Sequence, residues 1–383
     1  ESSIGDVVPD APSTATGEPI RLGMINQENT PLGSYPELSS ATRAAIEFVN
    51  TELGGVNGRP IELEVCNTEF SPEGSTACAQ QFVQDGVPAV LGGIDVFGTG
   101  IDTLAENEIP FVGGIPVSAQ AVENANSFQW SGGTWGATVA FAHHAATEVK
   151  ADSVAIVYPE FGPISDSADY GRITLENAGV TDVVMVPYPI TATDLSSPIQ
   201  AANSASPDAV IMLAADTGCK GAFDGFATVG VEAQVYLVGA CASPKIIEEA
   251  GPDKTEGTIF NVEGSLARGV ANVDFSLYQA VAAEYGDGFD PIGAGTVSFR
   301  SFMNLYRVLA ALDDDVTPAG ITAALQAQDE APSFMGHPST CDGEQLAGLP
   351  ALCSPQQILA ELKDGELVQV GDWIDVGEVF GDG

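Results

Sequence analysis

Six cysteines, at positions 66, 78, 219, 241, 341 and 353, are the residues whose type and spacing speak most directly to chemistry in this chain of 383 residues. No two of them form a C-x-x-C pair and only three His are present, so zinc or haem would find no ligands at useful spacing. They fall into three local couples with 11, 21 and 11 intervening residues. Six cysteines allow about fifteen connectivities; the expectation taken here is pairing in sequence order, Cys66 with Cys78, Cys219 with Cys241 and Cys341 with Cys353. Each such bridge closes a short loop and contributes roughly 2–4 kcal/mol. Three bridges imply an oxidising, extracytoplasmic compartment, against the competing reading of buried free thiols in a cytosolic chain.

The remaining reactive residues offer little. His143 and His144 are neighbours on a helix, point in different directions and cannot chelate one ion as an i, i+4 pair does. Asp313-Asp314-Asp315 lacks the alternating ligands and glycine of a calcium loop and reads as a solvated helix end. There is no G-x-S-x-G elbow, no P-loop and no G-x-G-x-x-G after a strand. Carboxylates abound, so their pairing discriminates nothing. The expectation is a binding protein and not an enzyme, with neither metal nor cofactor.

Charge narrows the partners. Twelve Lys and Arg stand against 53 Asp and Glu, a net charge of −41, which disfavours nucleic acid and anionic lipid surfaces. With 44% hydrophobic and 17% charged residues the chain has material for real cores and does not read as disordered. No apolar run approaches the roughly 18–20 residues of a membrane span.

The elements that must position any site alternate. Ile20 to Ile25 reads as a strand, followed by a turn-rich stretch and a helical face over 39–53 that stops at Gly54-Gly55. Ile61, Leu63 and Val65 alternate with acids, and Ser71-Pro72 opens a helix toward Asp85. Short apolar strands follow at 88–91 and 109–112 with a helix over 99–107 between them. A second series runs from Gly136 through strands at 154–158, 183–186, 209–213 and 235–238, separated by helices at 167–178, 197–204 and 219–229. Strands apolar on both faces belong to parallel sheets covered by helices, so two βα series predict two doubly wound α/β lobes. Beyond Phe260 helical periodicity dominates at 273–285, 297–312 and 318–327, and Lys363-Asp364-Gly365 sits between apolar runs as a hairpin turn. Residues 1–17, acidic and rich in Ser, Thr and Pro, read as a flexible tether that a processed export signal could precede.

Several stretches in order resemble the type I solute-binding proteins of ABC importers, in their branched-chain amino-acid-binding branch. They are Ala45-Ile46-Glu47-Phe48-Val49-Asn50 followed by Leu53-Gly54-Gly55-Val56-Asn57-Gly58-Arg59-Pro60, then Thr193-Asp194-Leu195-Ser196, Pro207-Asp208-Ala209-Val210-Ile211 and Glu256-Gly257-Thr258-Ile259. Cys66 and Cys78 also resemble a disulfide common in the first lobe of that family. The resemblance implies two doubly wound parallel-sheet lobes joined by a three-segment hinge. The expected layout is a tether over 1–18, lobe 1 over 19–134 plus 262–338, and lobe 2 over 135–261 plus 339–383. It further implies a monomer in the periplasm or at the cell surface, with room for a lipid anchor on a removed N-terminal segment. Such a subunit captures a small organic ligand, amino-acid-like or an apolar or aromatic carboxylate, by hinge closure, and docks on an ABC permease. A ligand-sensing protein of the same fold, reporting to a receptor or regulator, is the alternative.

In that family the ligand sits on loops that follow strands. In lobe 1 the corresponding candidates are Gln27 and Tyr35, then Asp95, Phe97, Gly98 and Thr99, then Gly114 and Ile115. In lobe 2 they are Tyr158 and Phe161, Asp216, and Ala242, and Trp130 and Trp135 near the first crossing complete the set. The loops depart from the amino-acid-binding pattern. Ile115, Pro116 and Val117 stand where hydroxyls are usual, and Phe161 and Ala240-Cys241-Ala242 stand where a gripping Tyr and an acid are usual. Two readings stay open: the amides of Gly98, Thr99 and Gly100 hold an anion at a helix N-terminus, or Phe97, Ile115, Trp130, Trp135, Tyr158 and Phe161 line a site for a larger apolar or aromatic molecule.

Overall fold

A computed structural model describes residues 11–30, 33–214, 216–262, 273–289, 291, 293–312 and 316–381, leaving aside the side chains of Asp216 and Thr217. The chain divides into two compact units and passes between them three times. Unit 1 holds residues 1–131 and 267–354, and unit 2 holds 132–266 and 355–383.

Unit 1 carries β1 (Ile20–Asn26), α1 (Pro36–Glu52), β2 (Ile61–Asn67), α2 (Pro72–Asp85), β3 (Val90–Gly92), α3 (Thr99–Glu106), β4 (Phe111–Val112), α4 (Ala119–Glu123) and β5 (Ser127–Phe128). The five strands are parallel in the order β2-β1-β3-β4-β5. Alternation along β1 decides the layers. Leu22 and Met24 join a core with α1 residues Leu38, Ala41 and Ala45, whereas Ile25 faces Ala79 and Phe82 of α2 on the other side. Gly23 is required in mid-strand because a Cβ there would stand 2.7 Å from the Phe82 ring.

Unit 2 repeats the plan with α5 (Gly133–His144), β6 (Ser153–Pro159), α6 (Gly162–Asn177), β7 (Asp182–Tyr188), α7 (Ser196–Asn203), β8 (Ala209–Met212), α8 (Asp216–Val229), β9 (Gln234–Leu237), α9 (Pro244–Ala250), α10 (Pro252–Thr255) and β10 (Ile259–Val262). The chain then returns α11 (Val273–Tyr285), α12 (Gly295–Ala311) and α13 (Pro318–Gln326) to unit 1, where Phe299, Phe302 and Met303 of α12 complete the core over β1. It ends in unit 2 with β11 (Gln357–Lys363), β12 (Glu366–Ile374) and α14 (Val376–Gly381).

One expectation is refined and two need correction. The second sheet runs β12-β11-β10-β9-β8-β6-β7, and β11 and β12 are antiparallel, so it is mixed at one edge. The hairpin turns at Asp364-Gly365, both at positive φ (51° and 77°), as a two-residue turn matched to strand twist requires. Second, the described end of the supposed flexible tether is docked. The amides of Ser13 and Ala15 donate to Glu52 O and Asn50 O, and those of Thr16 and Gly17 to Gly58 O. This docking explains Gly55, at φ 66°, where a Cβ would stand 2.7 Å from Ala15 Cβ and collide with Arg59 O. Third, residues 339–354, expected in lobe 2, cluster with unit 1. Their backbone bonds explain it: Gln129 N donates to Ala351 O at 2.8 Å, Cys353 N to Gln129 O at 2.8 Å and Ala351 N to Val122 O at 3.0 Å. The run Asp313-Asp314-Asp315 lies outside the described residues.

All six cysteines pair in sequence order, Cys66–Cys78, Cys219–Cys241 and Cys341–Cys353, and none is free.

Candidate functional site

In a doubly wound sheet, ligands collect outside the carboxyl ends of the strands where the strand order reverses. In unit 1 that point lies between β1 and β3. In unit 2 the same order recurs as β7-β6-β8-β9-β10 and places it between β6 and β8.

The unit 1 edge is organised by Asn26, the last residue of β1, which is fully buried. Its Oδ1 accepts from Ile94 N at 3.0 Å and its Nδ2 donates to Tyr35 O at 2.9 Å, locking the loop after β1 to the loop after β3. Gln27 continues the clamp: its backbone O accepts from Tyr35 N and its Nε2 donates to Gly33 O at 3.1 Å. The next loop is pinned from below. Ile115 N donates to Gly93 O at 2.9 Å, and Gly114 N donates to Ser301 Oγ at 3.2 Å. Gly114 holds φ 96°, and a Cβ there would stand 2.6 Å from Gly92 C and Gly93 O, so only glycine lets the two loops approach.

Asp95 is 5% exposed and turns inward. Its Oδ2 accepts from Ser75 Oγ at 2.5 Å, and its Oδ1 accepts from Phe97 N at 3.3 Å and Gly98 N at 3.1 Å. Ser75 Oγ in turn accepts from Gly100 N at 2.7 Å. Burial pushes the Asp95 carboxyl above its ordinary range, and the hydrogen bonds from Ser75, Gly98 and Phe97 oppose that shift. Among the half-buried groups at this edge, Val96, Ile115 and Val117 pack on the core, and Phe97 meets Phe70 edge-on with ring centroids 5.3 Å apart.

At the unit 2 edge, Tyr188 at the end of β7 reaches past β6 and donates its hydroxyl to Leu213 O at 2.8 Å, while Glu160 N donates to Tyr188 O. Burial pushes the Tyr188 phenol upward, which keeps that donor protonated. Tyr158, near the end of β6, and Phe161, the N-cap of α6, are half-buried. Desolvation, aided by Asp169 and Glu160, raises the Tyr158 phenol as well. The disulfide Cys219–Cys241 fastens α8 to the turn after β9 that carries buried Ala242, and Gly239 N donates to Asn261 Oδ1 at 2.7 Å.

The model of the family described as periplasmic binding protein matches residues 19–347. The chain belongs to the periplasmic binding protein family. A curated relative in Brucella melitensis, a Leu/Ile/Val-binding protein homologue, is 24% identical over 174 residues. That match covers 43% of this chain and 46% of the relative, so just under half of the relative's length. Among solved structures, a leucine-binding protein from Thermotoga maritima superposes with a TM-score of 0.71 at 16% identity, covering 92% of this chain and 98% of the other. A fatty acid ABC transporter substrate-binding protein from Thermomonospora curvata gives 0.75 at 17% identity, covering 98% and 97%. Likeness at these identities shows the fold alone. The family is extracytoplasmic and binds solutes without catalysing their conversion.

Within this periplasmic binding protein the expected site residues part company. Gln27, Tyr35, Asp95, Phe97, Gly98, Thr99, Gly114 and Ile115 gather at the carboxyl edge of unit 1, and Tyr158, Phe161 and Ala242 at that of unit 2. Trp130 and Trp135 are 1% and 2% exposed, Trp130 within the core that β1, α1 and α12 share. Apolar area drove both rings inside. Asp216 opens α8, one turn earlier than expected, and its side chain lies outside the description. Of the three amides expected to hold an anion, those of Gly98 and Gly100 are taken by Asp95 and Ser75. Sequence reasoning missed Asn26, which no local pattern marks, and Phe70, which the positive φ of Glu69 and Phe70 (53° and 54°) brings against Phe97. Among the described residues no three His, Cys, Asp or Glu converge as a metal-holding group.

Proposed function

We propose that this protein is the solute-binding subunit of an ABC importer, and that its solute is a small organic molecule with an apolar or aromatic body. Loops at the carboxyl edge of each unit engage the solute, and binding closes the hinge formed by the three chain crossings. The observation that carries this reading is the character of the edges. Half-buried apolar side chains there include Phe70, Phe97, Ile115, Tyr158 and Phe161, beside half-buried Glu28, Thr30, Ser34, Thr99 and Ser243, and the loops 27–35, 93–99, 113–118, 158–162 and 240–243 contain no Lys or Arg. A charged α-amino acid would find no cationic partner in these loops, and the hydroxyls of Thr99 and Ser118 are already engaged with Pro72 O and the Ala121 amide.

Three disulfides support an oxidising compartment. No described helix is long and apolar enough to cross a membrane. A thermal-shift panel of amino acids, aromatic compounds and aliphatic amides tests the reading. Apolar or aromatic compounds should raise Tm, and Phe97→Ser should weaken the response by at least about tenfold in Kd, as for a buried aromatic anchor. A strong shift with leucine or valine and none with apolar or aromatic compounds would defeat it.

A further inference from the structure

A cavity of about 430 Å³ in unit 1 shares no residue with the edge loops 27–35, 93–99 and 113–118. It lies between α12, α13 and the segment 328–339 and is bordered by Trp130, just after β5. Small-molecule sites occupy about 300–1,000 Å³. The cavity holds one unexplained group. Trp130 is 1% exposed, and its indole Nε1–H meets no acceptor among the described residues. A buried indole normally pairs its N–H, and a Phe ring would fill most of the same space without stranding a donor. The polar neighbours spend their acceptors on one another: Gln328 Oε1 accepts from Ser339 Oγ at 3.1 Å, and Asn304 Oδ1 accepts from Phe334 N at 2.7 Å. Two donors remain, the indole N–H and Gln328 Nε2, from which no bond runs to a described residue. Half-buried Arg307, whose Nη1 donates to Pro332 O, adds positive charge to the lining.

We propose that this cavity is a second small-molecule site, separate from solute capture at the edges, and that it takes an apolar compound carrying a hydrogen-bond-accepting oxygen, a carbonyl or a carboxylate. Ala311 and Pro332 are exposed and Gln328 and Arg307 half-buried, so they mark the mouth, and the indole forms the floor. The apolar body packs on Val308, Ala310 and Ala324, and its oxygen accepts from Trp130 Nε1–H. The lining decides the class. A cationic head would meet donors and a guanidinium with no carboxylate among the described lining residues. A plain hydrocarbon would leave the indole N–H as unpaired as before.

The test is proton–nitrogen correlation NMR of the full chain, whose three Trp give three indole signals. The signal lost in Trp130→Phe belongs to Trp130; if that variant does not fold, Trp135→Phe and Trp373→Phe assign it by elimination. The probes are acetophenone for the carbonyl, benzoate for the carboxylate, and ethylbenzene, which matches acetophenone without the oxygen. At least one oxygen-bearing probe should move the Trp130 signal saturably, with a Kd at least about fivefold below that of ethylbenzene, the effect of one net hydrogen bond. Tighter binding of benzoate names a carboxylate that uses the charge of Arg307, and tighter binding of acetophenone names a neutral carbonyl; either supports the site. Ala324→Leu fills the cavity and should weaken the better probe at this signal by at least about tenfold, with folding checked by circular dichroism; if it does not fold, Ala311→Leu at the mouth takes its place. A Trp130 signal unmoved by acetophenone and benzoate up to their solubility overturns the proposal. So does ethylbenzene binding as tightly as both, or a Kd in the filled variant equal to the parent's.

Discussion

The bridge Cys219–Cys241 gives the best-bounded expectation. Both sulfur-bearing residues are fully buried, and the bridge closes a loop with a sequence separation of 22. In the chain-entropy picture a closed loop of that length removes about 11 cal/mol/K from the unfolded ensemble, or roughly 3.4 kcal/mol near room temperature. Replacing both residues in Cys219→Ala/Cys241→Ala leaves a small void in addition, so a loss of about 3–4 kcal/mol is expected. For a unit of this size that corresponds to a fall in Tm of roughly 6–16 °C. The assay is differential scanning calorimetry beside urea unfolding followed by fluorescence. Trp135 and Trp373 report unit 2 when Trp130, in unit 1, is replaced by Phe. The fluorescence midpoint of unit 2 should shift, and the calorimetric transition of unit 1 should not. A double variant within about 1 kcal/mol of the parent, or a loss confined to unit 1, would refute the reasoning that this bridge restrains the unfolded chain of unit 2.

Further expectations concern single groups. Gly114→Ala should cost about 2–4 kcal/mol, because φ 96° and a neighbour at 2.6 Å act together, and a loss under about 1 kcal/mol in urea unfolding would count against the loop contact. Tyr188→Phe leaves Leu213 O without its donor and should cost about 1–3 kcal/mol; an unchanged midpoint would remove the tie from importance. The Asp95 carboxyl is raised by burial, so the folded state holds its proton more tightly than the unfolded one and stability falls as pH climbs from the ordinary carboxylate range through the folded value. Asp95→Asn should therefore gain relative to the parent as pH rises from 4 to 7, and a parallel pair of Tm profiles would contradict this. His144, lowered first by burial, shares its Nδ1 with Tyr236 Oη at 2.8 Å; its neutral form favours the fold, so stability present near pH 7 should fall as pH drops below the ordinary histidine value. A His144→Gln variant whose Tm falls as steeply as the parent's between pH 7 and 5 would exclude this cause.

Much of the architecture was legible because its periods are local. Alternation at Ile61, Leu63 and Val65, the capping Ser71 with Pro72, and Asp364-Gly365 each name their element, and Ser71 Oγ does accept from Gly74 N. What escaped depends on partners distant in sequence. Strand β5 has two residues, too few for any period, and the docking of residues 13–17 is made by backbone atoms that composition does not reveal. The segment 339–354 joins unit 1 through Gln129, more than 200 positions earlier, as the paired bonds at Ala351 and Cys353 show. The site was legible as a set of loops and not as chemistry. Asp95 reads as a ligand acceptor or helix cap until Ser75, twenty residues before it, closes on its carboxyl. Trp130 carries the residue type of a binding surface, yet its ring is buried in the core of unit 1.

The most direct test of solute capture is native mass spectrometry of the protein purified from its own host, with the bound compound extracted and identified. Expected is one small apolar or aromatic molecule per chain, whose removal lowers Tm and whose return restores it and makes the protein more compact in small-angle scattering. A protein that carries leucine, valine or another free α-amino acid, or one whose scattering profile is the same with and without its extracted solute, would contradict the account.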